Sequence, residues 1–296
     1  MKPIAEDLLG YESKEISVGP FTMRYLDEGA GEETLLCVHG NPTWSFYYRG
    51  VIERFSPSRR VVAVDHLGCG RSDKPSRGEF PYRMSDHRDN LVSLIDQLDL
   101  NRITLVAHDW GGAIGLASLV ERPEHFQRIV LLNTGAFPPP YVPLRIAALR
   151  FPVLGTAAIR GLNAFAAPAV SMAMSRSRMA DDVAAGLLAP YDSWTNRVAI
   201  DGFVRDIPLT SGHPTFQTLQ QLETDLSGLP AMPKLLVWGM KDWCFRPECL
   251  HRLQKLWPDA NAVEISDAGH YVLEDAPGET LDAIANFLNN APQIDG

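Results

Sequence analysis

The chain is short of cysteine, of positive charge and of long apolar runs, and each shortage removes a class of function. Its four cysteines, Cys37, Cys69, Cys244 and Cys249, stand at no zinc-like spacing, so they read as reduced structural thiols and no metal site is expected. Lys and Arg number 27 against 36 Asp and Glu, which gives a formal net charge of -9 and a pI near 5.4. That balance argues against a surface that tracks nucleic-acid phosphates. The most apolar stretch, Phe151 to Met174, is broken by Pro152, Arg160 and Pro168. It therefore falls short of the roughly 20 consecutive apolar residues that a membrane span needs, and a pair of helices is expected there instead. The opening MKPIAEDLLGYESKE lacks the charged, apolar and small-residue succession of a secretory signal, so a cytoplasmic enzyme is expected. There is no internal repeat and no low-complexity tract. What is present is ordinary for a soluble globular enzyme: 296 residues, 45% hydrophobic and 21% charged, enough for one large α/β domain with an insertion.

Six short apolar runs have the pattern of strands buried on both faces: Leu35 to Val38, Val61 to Val64, Ile103 to Ala107, Ile129 to Leu132, Leu235 to Trp238 and Ala262 to Ile265. Helical patterns lie between several of them, at Asp86 to Leu98, Ala113 to Arg122 and Pro247 to Leu256. Strands alternating with helices predict a mainly parallel, doubly wound sheet. The segment Glu15 to Leu26 alternates and predicts an antiparallel ribbon at the start. From about Phe137 to about Leu226 the alternation stops, with several helix-like stretches and no buried strand. The expected organisation is therefore an α/β core of residues 1–136 and 227–296, with a helical cap of residues 137–226 inserted between late strands. The run Phe137-Pro138-Pro139-Pro140 at the cap's start resists helix and reads equally as a stiff hinge or as a plain loop.

Chemistry enters at Leu105-Val106-Ala107-His108-Asp109-Trp110-Gly111-Gly112. An acidic residue stands between a buried strand and a helix, with small residues beside it. A nucleophile elbow has this form, because its sharp strand-to-helix turn needs small neighbours to hold the central side chain above the sheet. Aspartate also suits a helix N-cap; the strand, the turn and the paired glycines favour the elbow.

Together with His39-Gly40-Asn41-Pro42-Thr43-Trp44 and Gly68-Cys69-Gly70-Arg71-Ser72-Asp73-Lys74-Pro75, this segment resembles the haloalkane dehalogenases and their relatives in the α/β-hydrolase fold. The likeness covers the core, and the cap is only generically similar. The elbow and the His-Gly-x-Pro turn are shared with epoxide hydrolases, whereas Asn41 is more specific to dehalogenases. The resemblance implies that Asp109 attacks an sp3 carbon to form an alkyl ester, which needs no proton removed from the nucleophile. Water must then be activated against that ester, and His270, past the last strand in Asp267-Ala268-Gly269-His270-Tyr271, stands where hydrolases of this fold carry their base. Asp242, in the loop after Leu235 to Trp238, is the acid expected to hold the histidine. Some dehalogenases carry a glutamate after the preceding strand, but here that strand runs into Asn133-Thr134-Gly135. Asn41 and Trp110 carry N–H donors and occupy the positions that hold the departing halide in the resembled family.

The first expectation is thus hydrolytic dehalogenation of haloalkanes through Asp109, His270 and Asp242. The partners are a small apolar substrate, halide ion and water, with no cofactor and no metal, no nucleic acid and no membrane span; a homo-oligomer is left open. A branch of dehalogenase-like proteins looks like β-lactone decarboxylases of olefin biosynthesis, and arginines of the cap, among them Arg160, Arg176 and Arg178, suit a carboxylate there. Epoxide hydrolysis would call on two cap tyrosines, for which Tyr141 and Tyr191 are available. A silent hydrolase-fold binding protein is the alternative outside enzymes, against which an intact triad argues. For the apolar lining of the cap, Phe137, Phe165, Met172, Met174 and Trp194 are the candidates.

Overall fold

A computed structural model describes residues 10–290. Residues 1–9, on which most of the signal-sequence reading rests, and the last six of the expected core lie outside the described residues. Eight strands are present among the described residues: β1 (Lys14–Val18), β2 (Phe21–Glu28), β3 (Thr34–Val38), β4 (Arg60–Asp65), β5 (Ile103–Asp109), β6 (Phe126–Thr134), β7 (Lys234–Gly239) and β8 (Asn261–Ile265). They form one sheet in the order β1-β2-β4-β3-β5-β6-β7-β8. The ribbon β1–β2 and its junction with β4 are antiparallel, and every later pairing is parallel.

The central strands are continuous apolar runs because both of their faces are covered. Leu36 and Val38 of β3 pack with Leu91 and Leu94 of the helix Met84–Gln97 and with Ile114 and Leu116 of the helix Trp110–Glu121. Leu35 and Cys37 of the same strand join the opposite core, with Val51 and Ile52 of the helix Arg49–Phe55 and Ile284 and Phe287 of the helix Pro277–Asn290. Strand β1, at the sheet edge, instead alternates exposed and buried residues.

Between β6 and β7 no strand occurs among the described residues; the chain forms helices Leu144–Ala148, Ala166–Met172, Asp181–Leu188, Val198–Asp206 and Pro214–Leu226. The helix pair expected within Phe151 to Met174 is present. Its first member runs from Leu154–Thr156 through a π-helical stretch at Ala157–Gly161 and stops before Asn163, whose φ of 54° leaves the helical region, and its second is Ala166–Met172. Pro168 is accommodated because it lies in the first turn of Ala166–Met172, where its missing N–H is not needed. No helix of the described residues is long and apolar enough to cross a membrane.

Candidate active site

The carboxyl ends of five neighbouring parallel strands put the site together, as in open α/β sheets generally. Asp109 ends β5 with φ 54° and ψ -129°, a conformation strained for any residue but glycine. Packing on both sides enforces it. A Cβ on Gly111 would lie 2.0 Å from the carbonyl oxygen of Val38, so only glycine lets the helix begin this close to β3. One on Gly40 would lie 2.1 Å from Asp109 Oδ1. The Asp109 side chain makes no capping hydrogen bond to the helix it precedes, which removes the N-cap alternative. Oδ1 instead accepts the backbone N–H of Asn41 at 2.6 Å.

His270 lies between two carboxylates. Its Nε2 is 3.5 Å from Asp109 Oδ2 and its Nδ1 is 2.8 Å from Asp242 Oδ2. All three side chains are buried. Burial alone would push the imidazole's pKa down, but the charges of Asp242 and Asp109 outweigh it and raise the value to about 10. Burial works to raise the Asp109 pKa, and contact with His270 overrides it and holds the carboxyl below its usual range. The neighbouring carboxylates therefore favour the protonated form of His270, and His270 in turn favours the ionised form of Asp109.

Sequence reasoning missed Asn133. Standing near the end of β6 with φ 34°, it donates from Nδ2 to Asp242 Oδ2 at 2.9 Å and to the Gly239 carbonyl at 3.1 Å, and its Oδ1 accepts Gly239 N–H at 2.8 Å. Asp242 Oδ1 accepts the Cys244 N–H at 2.6 Å, so each oxygen of this carboxylate is fixed. The available signal was a polar residue ending a buried strand, set aside because it offered no carboxylate. Phe245 stacks against His270 with ring centroids 5.6 Å apart.

Two further histidines frame these groups without reaching the reacting atoms. His39 Nδ1 donates to the Gly40 carbonyl at 2.7 Å and its Nε2 accepts His66 N–H at 3.0 Å, which fixes a neutral tautomer. His108 Nε2 donates to the His270 carbonyl at 2.9 Å, and burial lowers its pKa to about 3.

Above Asp109 lies an apolar cavity of about 230 Å³. Asn41, Trp110, Asp109 and His270 all line it, so the structure brings together four of the five expected site residues there, with Asp242 behind His270. The amide of Asn41 makes only a 3.5 Å contact to the Ile200 carbonyl, and no hydrogen bond from the Trp110 indole occurs among the described residues. Both N–H groups are thus available to an acceptor in the cavity.

Phe137, Phe165 and Met172 line the cavity as expected, whereas Met174 and Trp194 do not. Trp194 lies outside and carries the guanidinium of Arg160 on its ring. Nor do Arg160, Arg176 and Arg178 reach the cavity: Arg176 is held by Asp267 and Glu279, and Arg178 by Asp181. The arginine of the wall is Arg145, 4.2 Å above the Trp243 ring. The pair of tyrosines needed for epoxide chemistry is not offered either. Tyr141 lines the cavity but spends its hydroxyl on the carbonyls of Trp243 and Cys244, and Tyr191 is buried elsewhere against Thr43.

The alpha/beta hydrolase fold family matches residues 33–277. A cis-3-alkyl-4-alkyloxetan-2-one decarboxylase of Shewanella oneidensis is 37% identical over 293 residues, spanning 98% of this chain and 92% of its own. Haloalkane dehalogenase 2 of Mycobacterium tuberculosis is 33% identical over 282 residues, spanning 94% and 95%. Among solved structures, a haloalkane dehalogenase of Agrobacterium tumefaciens superimposes with a TM-score of 0.86 at 22% identity, over 96% of this chain and 99% of that one. The chain belongs to the alpha/beta hydrolase fold family, in the group that holds these decarboxylase and dehalogenase relatives.

Proposed function

We propose that the protein is a hydrolytic dehalogenase that cleaves the carbon–halogen bond of small apolar haloalkanes. The observation that carries the reading is the buried Asp109 carboxylate, on the floor of an apolar cavity walled by two free N–H donors and backed by His270. Asp109 attacks the carbon that bears the halogen. The new C–O bond takes the place of the C–X bond, and halide leaves toward Asn41 Nδ2 and Trp110 Nε1.

Esterification abolishes the charge of Asp109, and with it part of what keeps His270 protonated. The imidazole, still oriented by Asp242, can then lose its proton and take one from water. Hydroxide adds to the ester carbonyl, whose oxyanion faces the Asn41 N–H that Oδ1 already accepts at 2.6 Å. Collapse restores Asp109 and releases the alcohol. Haloalkane and water become alcohol, halide and a proton.

A second reading uses the same triad and is favoured by two observations. The decarboxylase relative is 37% identical, against 33% for the dehalogenase, and Arg145 brings a cation to the cavity wall. In it Asp109 attacks the ring carbon of a β-lactone that bears the ring oxygen, and the carbon–oxygen bond breaks to free a carboxylate. Carbon dioxide then departs, its bonding pair forms the alkene, and Asp109 leaves as carboxylate. Water is not consumed.

Of the described residues, 10–136 and 227–290 are read as the core and 137–226 as the cap that supplies most of the cavity wall. The enzyme is read as cytoplasmic, in keeping with four cysteines that stand unpaired. Purified protein assayed in parallel with 1,2-dibromoethane, a disubstituted β-lactone and styrene oxide tests the assignment. Bromide release at many turnovers supports the dehalogenase. Rapid conversion of the lactone with no halide released from any bromoalkane overturns it in favour of the second reading.

A further inference from the structure

We propose that the exposed turn Phe151–Leu154, with Leu144 and Leu162 flanking it in the chain, docks the protein on a phospholipid bilayer that carries anionic headgroups. Seven large apolar side chains are exposed among the described residues, and five of them fall between residues 144 and 162: Leu144, Phe151, Val153, Leu154 and Leu162. They are 65% to 88% exposed. Isolated apolar residues on a surface need no explanation, but such a concentration marks a contact surface.

The backbone presents this surface at a cost. Val153 has φ 64° and ψ -61°, and Leu154 N–H donates to the Pro152 carbonyl at 2.7 Å. That is a γ-turn of the strained hand, occupied by a β-branched residue. Its base is closed by Gly155, whose N–H donates to the Phe151 carbonyl at 2.9 Å and where a Cβ would lie 1.8 Å from the Leu149 carbonyl oxygen. Phe151, Val153 and Leu154 therefore project from a tight, braced loop.

Charge identifies the partner. Residues 137–180 contain five arginines and no Asp, Glu or Lys, in a chain whose net charge is -9. Arg176 and Arg178 are paired with carboxylates. Arg145, Arg150 and Arg160 have no carboxylate at ion-pair distance among the described residues, and Arg145 is exposed. Arg150 buries one guanidinium nitrogen and Arg160 is held on Trp194, so Arg145, next to Leu144 in the chain, is the cation open to a phosphate. An apolar tip with such a cation matches the two layers of a membrane interface, acyl chain below and anionic phosphate above.

The surface is also continuous with the cavity. Leu149 lines the cavity just before the turn and Ala164 lines it just after, while Arg145 both faces solvent and forms part of the cavity wall. Docking through this turn would bring the way into an apolar cavity to the phase in which long apolar molecules dissolve. This holds whichever bond the site breaks, so binding is read without turnover.

The test is flotation of the whole protein with vesicles of phosphatidylcholine, alone or with about one-third phosphatidylglycerol, at low and high salt. Binding to the anionic vesicles is expected, weakened about tenfold or more as salt shortens the reach of the arginines. Phe151→Ser, Val153→Ser and Leu154→Ser combined should lower it about a hundredfold or more, because three apolar side chains no longer leave water. The single variant Leu162→Ser should lower it less, and thermal melting checks that both variants fold. Failure of the parent to bind anionic vesicles overturns the proposal, as does undiminished binding by the triple variant. A parent dimer that the triple variant dissolves, with no vesicle binding by either, would assign the surface to a second copy of the chain and equally overturn it.

Discussion

Replacing Asp109 with Asn is expected to lower the pKa of another residue, His270. The amide is nearly the size of the carboxylate and carries no charge, so it imitates the electrostatics of the esterified side chain. In the parent, His270 is held protonated to about pH 10 by Asp242 and Asp109 against the opposing effect of burial. A unit charge at the 3.5 Å separation of Nε2 and Asp109 Oδ2 is worth about 5 kcal/mol at an effective dielectric of about 20. At 1.36 kcal/mol per pKa unit that is an upper figure of about three and a half units, so a fall of roughly one to three units is expected. The sign follows from linkage: the raised value stabilises the fold below the unfolded histidine's pKa of about 6.5, and this contribution fades as pH climbs through about 10. NMR titration of protein labelled with carbon-13 in its histidine rings measures both midpoints, with His270→Phe assigning the resonance among the eight histidines. Equal midpoints in parent and Asp109→Asn would refute the idea that esterification switches the base on.

Other consequences follow from the same packing. His87 is buried with neither ring nitrogen hydrogen-bonded, stacked 4.5 Å from Phe203, and burial lowers its pKa to about 3. Its stabilising effect is present above about pH 6.5 and is lost as pH falls toward 3, so His87→Phe should lose about 2 to 3 kcal/mol less than the parent between pH 7.5 and 4.5. Urea unfolding at the two pH values measures this, and equal losses would contradict it. Asn133→Gly keeps a residue that tolerates positive φ and removes the amide that holds Asp242. Turnover should fall about ten- to a hundredfold, with the alkyl adduct accumulating by intact mass, and an unchanged rate would show that Asp242 needs no such support. Asn41→Ala and Trp110→Phe should each weaken competitive inhibition by bromide and slow carbon–halogen cleavage about ten- to a thousandfold. Loss of neither would remove them from the leaving-group site.

The sheet was readable from sequence because its central strands are covered on both faces, which forces runs such as Leu35 to Val38 and Ile103 to Ala107 with no polar interruption. Asp109 was readable for a related reason: an acidic residue between a buried strand and paired glycines conflicts with its surroundings unless the turn is strained. The helix Pro277–Asn290 went unremarked although it is amphipathic, since no motif pointed to it. The lining of the cavity was far less legible. Composition nominated Met174 and Trp194 no less than Phe165 and Met172, and only the folded path of the chain decides which of them line the cavity. For the same reason the sequence offers Arg160, Arg176 and Arg178 for the cavity and not Arg145, because it counts cations without showing which of them reach the wall. Asn133 was missed because its role is a hydrogen bond to a residue 109 positions away.

Single turnover in oxygen-18 water separates a nucleophilic carboxylate from one that merely activates water, because the two leave the label in different places. If Asp109 forms the ester, hydroxide from labelled water adds to its carbonyl carbon. Peptide mass spectrometry should then find oxygen-18 in Asp109 after one turnover of 1,2-dibromoethane, while the first alcohol released carries oxygen-16 from the side chain. Label found in the alcohol, with Asp109 unlabelled, would mean that water attacked the substrate directly and would contradict the account.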